Sequence, residues 1–172
     1  MTVTRAEPPS GGDEKSMLAA WLDYHRATLA MKCEGLSGEQ LRQQAVPPSG
    51  LSLLGLVRHL SEVERSWFQR GVAGADAPRR YYSDDNPDGD VYDVEATDVA
   101  EVFSTWHSDC ARAREIVAAA PDLAVMSQAV RRNGRRQSFT LRWIMLHMIE
   151  EYARHNGHAD FLRERIDGST GI

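Results

Sequence analysis

The chain has 172 residues, 42% of them hydrophobic and 26% charged, enough to bury the core of one domain of ordinary size. Its formal net charge of −5 argues against the basic face that phosphate contacts require, so no nucleic-acid partner is expected. The longest apolar run, Leu51 to Val57, contains Ser52 and Gly55 and falls far short of the roughly 20 residues that span a bilayer, so no membrane segment is expected either.

Residues 1–12 carry neither an apolar signal core nor a small-residue cleavage site. They read as a disordered lead to a single domain over residues 13–172, with the cytoplasm as the expected location. The first helix is expected from about Asp13 to Glu34, with Leu18, Trp21, Leu22, Leu29 and Cys33 inward and Gly35 as its stop. Ser37 and Gln40 have the spacing of a capping box and open a short helical turn that ends before Pro47 and Pro48. A second long helix is expected from Ser52 to Arg70, with Leu53, Leu56, Val57, Leu60, Val63 and Trp67 on its core side and His59 at the edge of that stripe.

A long connection, residues 74–96, follows with Tyr81, Tyr82 and an acidic run; a loop of that length is functional or mobile. Thr97 or Asp98 caps the third long helix, which runs to about Ala120. Asn133-Gly134, between two short segments of β character, marks a type I′ hairpin flanked by Arg131, Arg132, Arg135 and Arg136. Thr140 caps the last helix, expected to reach about Arg165. No stretch shows the repeated alternation that a large sheet needs, so the fold is all-α: a four-helix bundle with a long crossover loop and a small β-hairpin before the last helix. Cys33 and Cys110 lie in predicted helices without CxxC partners and read as reduced, buried thiols.

The last helix holds the chemistry. Ile144, Met148, Glu151, His155, His158 and Leu162 step by 4, 3, 4, 3 and 4, which is one helical face with apolar ends and an ionisable middle. A carboxylate buried there without a partner costs several kcal/mol, and a divalent metal would offset that cost. Glu151/His155, His155/His158 and His147/Glu151 are the competing pairs on neighbouring turns. The first is favoured, with His59 of the second helix as the further ligand. A bland alternative pairs Glu151 with Arg154 or with an arginine of another helix. His25, on the inner stripe of the first helix, and His147 and His158 are candidates for substrate contact or for support of the ligands. No glutamate has a histidine three residues on, so the paired motifs of a di-iron bundle are missing and one ion is expected.

Two segments, Leu56-Val-Arg-His59-Leu-Ser-Glu-Val-Glu64 and His147-Met-Ile-Glu-Glu151-Tyr-Ala-Arg-His155-Asn-Gly-His158, resemble the DinB-like superfamily of metal-binding four-helix bundles. Within it, the chain looks most like an actinobacterial-type domain of unknown function related to mycothiol-dependent enzymes. The resemblance implies a divalent metal, commonly zinc, on His59, Glu151 and His155. It also implies mycothiol or a similar small thiol as cofactor and favours a homodimer. The implied activity is a metal-dependent S-transfer or isomerisation through a low-molecular-weight thiol acting on a small-molecule substrate. A non-catalytic metal-binding or stress-related bundle, or a metal-dependent hydrolase, is the alternative.

Overall fold

In the computed structural model, which describes residues 3–132 and 135–171, each long helix starts where the sequence supplies a cap. Asp13 accepts from the Ser16 amide to open α1 (Glu14–Cys33), and Ser37 and Gln40 form a reciprocal capping box on α2 (Gly38–Arg42). Ser52 opens α3 (Leu53–Glu64), and Asp98 accepts from the Ala100 and Glu101 amides to open α5 (Val99–Ala119). Thr140 opens α6 (Leu141–Asp167), which ends on Gly168 at a φ of +80°, a conformation that favours glycine. A four-residue helix, α4 (Gly89–Tyr92), interrupts the long connection.

The second long helix differs from its expected form. It leaves α-geometry after Glu64 and continues as a π-helix, Arg65–Val72. The wider turn changes the angular position of each following side chain, which a 3.6-residue period does not anticipate. Trp67 is thereby brought against Phe139, Trp143 and His147, with ring centroids 5.4, 5.4 and 5.0 Å away.

The protein is mostly helical. Helix α1 packs along α6, while α3 packs against both α5 and α6, and the core between them is filled by Leu22, Leu29, Leu56, Leu60, Phe68, Trp106, Ile144, Met148 and Tyr152. Strands β1 (Val130–Arg132) and β2 (Arg135–Gln137) pair antiparallel, with Val130 opposite Gln137. Asn133 and Gly134, expected as the turn between them, lie outside the described residues, as do the side chains of Arg131 and Arg132. Residues 3–12 form no helix or strand but run along α1. The Val3 amide donates to Glu34, and Arg5 donates to Thr28 and stacks on Tyr24.

The buried stripe of α6 is Leu141, Ile144, Met145, Met148, Tyr152, Asn156, Ala159 and Leu162. Its middle therefore runs through Tyr152 and Asn156, and Glu151 and His155 stand at its edge rather than at its centre. The fully buried carboxylate of this core is Glu64. It accepts two hydrogen bonds from Arg26, both 2.7 Å, and one from the Tyr152 hydroxyl at 2.9 Å, to which Trp106 donates in turn. Burial works against the Arg26 charge, yet Glu64 beside it keeps that guanidinium protonated.

Candidate metal centre

Placing Glu151 and His155 at the edge of the buried stripe gives them both partners and access. The neighbouring turns of α6 set Glu151 Oε2 3.6 Å from His155 Nε2, and α3 supplies His59, whose ring centroid is 4.9 Å from that of His155. One ligand atom from each of His59, Glu151 and His155 lies within 4.8 Å of the other two. All three side chains are half-buried, with 24%, 19% and 14% of their surface exposed. Interaction with His155 first, and with the other neighbouring imidazoles, outweighs the opposing effect of burial, lowers the pKa of Glu151 and favours its anion.

The remaining predicted residues fall around this group in different ways. His147 reaches the same carboxylate from the preceding turn, Nε2 to Glu151 Oε1 at 3.4 Å, and its Nδ1 lies 3.1 Å from Glu150. His147, Glu150 and Glu151 thus form a second cluster of donors that shares Glu151. The Nδ1 atoms of His158 and His155 are 3.3 Å apart, on the side of His155 away from Glu151. His25 is brought to Asn156 instead, which donates to its backbone carbonyl at 3.0 Å. Arg154 pairs with Glu150, not Glu151, and among the described residues the ion-pair partners of Glu151 are His147 and His155 rather than an arginine.

One participant escaped the sequence reading. Asp90, in α4 of the long connection, places Oδ2 2.8 Å from Nδ1 of His59 and is itself buried. No periodicity ties a loop carboxylate to a helix that precedes it, so only the acidic character of that connection pointed toward it. A recess of about 280 Å³ opens beside His59, lined by Glu62, Val63, Trp67, Tyr82 and Asp90 among others. One of the candidate ligands, His59, therefore borders a space that a small molecule can enter.

Two imidazoles and a carboxylate from two packed helices, converging beside a recess, define a helical protein with a candidate mononuclear metal centre. The chain belongs to the mycothiol-S-transferase family, whose model matches residues 17–168, and this bears out the DinB-like resemblance of the two segments. No curated protein matches it. Among solved structures, a conserved protein from Enterococcus faecalis is similar in fold, with a TM-score of 0.67 at 10% identity, covering 92% of this chain and 100% of the other.

Proposed function

We propose that the protein is a zinc-dependent thiol S-transferase, built as a four-helix bundle on a single domain, with one ion held by His59, Glu151 and His155. The convergence of these three donors within 4.8 Å, in a member of this family, carries the reading. The donor set fits the ion. Neutral imidazole and carboxylate are borderline-to-hard ligands suited to zinc, and three protein ligands leave a position open, as in catalytic rather than structural sites.

When bound there, a divalent cation supplies Lewis acidity that lowers the pKa of a thiol brought to the open position. The chain's own groups do the rest. Glu151 contributes the negative charge, while His59 and His155 donate nitrogen lone pairs. Trp67 and Val63 give the recess an apolar wall that limits water around the reacting sulfur. The reacting thiol must come with the ligand, because both cysteines are buried and their pKa values are raised by burial, that of Cys33 up to about 12. Mycothiol is the thiol this reading favours, and a cytoplasmic homodimer belongs to the same reading. No helix among the described residues is long and apolar enough to cross a membrane.

The test is a conjugation assay with mycothiol and a bimane electrophile. Zinc-loaded protein should accelerate the reaction above background, and His59→Ala should return it to background. Stoichiometric zinc without acceleration by mycothiol, bacillithiol or glutathione would contradict the transferase reading. It would favour the non-catalytic bundle or the hydrolase.

A further inference from the structure

We propose that Asp90 is the positioning residue of this centre: its carboxylate fixes the His59 ring so that Nε2 serves as the ligand atom. The long connection then acts as a bracket that holds Asp90 in place. The inference rests on the reading of His59 as a ligand and adds the group that orients it.

A neutral imidazole has one N–H and one lone pair, and the group that takes the N–H decides which nitrogen can bind a cation. The 2.8 Å contact between Asp90 Oδ2 and His59 Nδ1 assigns the N–H to Nδ1 and leaves the lone pair on Nε2. Asp90 is only 6% exposed, and His59 is its hydrogen-bond partner among the described residues. Burying a carboxylate is costly without a compensating partner, and here the hydrogen-bonded partner is the histidine, with the Arg58 charge nearby.

The anchoring of the connection matches this role. Successive turns of α3 hold it on either side of His59. At Gly55 any Cβ would lie 2.1 Å from the Val91 carbonyl oxygen, so α4 approaches the helix as closely as a missing side chain permits. Arg58 donates to the Asp93 carbonyl and stacks on Tyr81 at 4.7 Å. Glu62 Oε2 accepts from the Arg80 amide at 2.8 Å and faces the Tyr81 amide at 3.4 Å. The segment carrying Asp90 is thus tied to the same helix that carries His59, and motion of one follows the other.

The experiment uses the full chain with Asp90→Ala, Asp90→Asn and Asp90→Glu. Zinc affinity is measured by competition with a chromophoric chelator, and the His59 tautomer of the metal-free protein by ¹⁵N NMR of its ring. Asp90→Ala should weaken zinc about 10- to 100-fold, the usual effect of losing an orienting partner. The tautomer signal should shift away from Nδ1–H, while the unfolding midpoint of the metal-free protein changes little. Asp90→Asn keeps an acceptor oxygen and should retain more affinity than Asp90→Ala. Zinc affinity of Asp90→Ala within twofold of wild type would overturn the inference, as would a His59 ring already in the Nε2–H form in the wild-type protein. A fall in the metal-free midpoint with no change in zinc affinity would also overturn it, because that is the result of a purely structural loop contact. Wild-type zinc binding that survives His59→Ala would instead remove the ligand assignment itself, so the two failures are distinguishable.

Discussion

His59 of α3 and His155 of α6 stand with their ring centroids 4.9 Å apart, and Glu151, one turn before His155, completes the group. Two helices that pack directly on each other fix this distance, so the centre is as rigid as the α3–α6 contact.

Glu64 and Arg26 form a buried, doubly hydrogen-bonded pair beneath that contact. Glu64→Gln removes the buried charge opposite Arg26 and leaves the half-exposed Asp23, 2.8 Å away, as its carboxylate partner; this should cost up to about 3–5 kcal/mol, whereas the double replacement Arg26→Met/Glu64→Leu should recover most of it. Urea unfolding of the three proteins measures both. Equal stability of Glu64→Gln and wild type would mean that the pair is not desolvated as described.

Gly55→Ala should destabilise the chain by about 1–3 kcal/mol through the clash with the Val91 carbonyl. Alanine's better helix propensity, about 1 kcal/mol, opposes this and is the smaller effect wherever the clash exceeds it. A higher thermal midpoint for Gly55→Ala would show that α4 does not sit this close to α3.

Neither cysteine should react with Ellman's reagent at pH 8 in the native protein, because burial holds Cys33 and Cys110 as neutral thiols. Two equivalents should react in denaturant. Rapid titration of one thiol in the folded state would reopen the question of a nucleophile within the chain.

His25 titrates below its ordinary value of 6.5, first through burial and then through the Arg5 charge. The fold prefers its neutral form, so the stability it contributes is complete above about pH 6.5 and is lost as the pH falls through the lower folded value. The urea midpoint of the metal-free protein should fall between pH 7.5 and 5.5, and His25→Gln should flatten that fall. An unchanged slope in the variant would assign the pH dependence to other groups.

What the sequence made legible was local. The caps at Ser37 and Thr140, and the choice of Thr97 or Asp98 that the structure resolves to Asp98, follow from residue type and spacing, and the first helix starts within a residue of its expected Asp13. The i, i+4 spacing of Glu151 and His155 required them to be neighbours, and the apolar edge of the second helix directed His59 inward. Non-local relations were hidden. Asp90 reaches His59 through the path of a loop, and Glu64 looked like any polar residue of an amphipathic helix until Arg26 and Tyr152 closed around it. The apolar ends of the seam suggested that its middle was central, but the helix rotates Tyr152 and Asn156 to the core and leaves the ligands at the rim. The π-turn, too, has no signature in a 3.6-residue period.

The most direct test is the zinc content of untagged protein, measured by elemental analysis on wild type, His59→Ala, Glu151→Ala, His155→Ala and His147→Ala. One equivalent in wild type and in His147→Ala is expected, with loss of metal in the other three and a helical spectrum in all. Full retention of zinc in His59→Ala, or loss only in His147→Ala, would contradict a centre built from His59, Glu151 and His155.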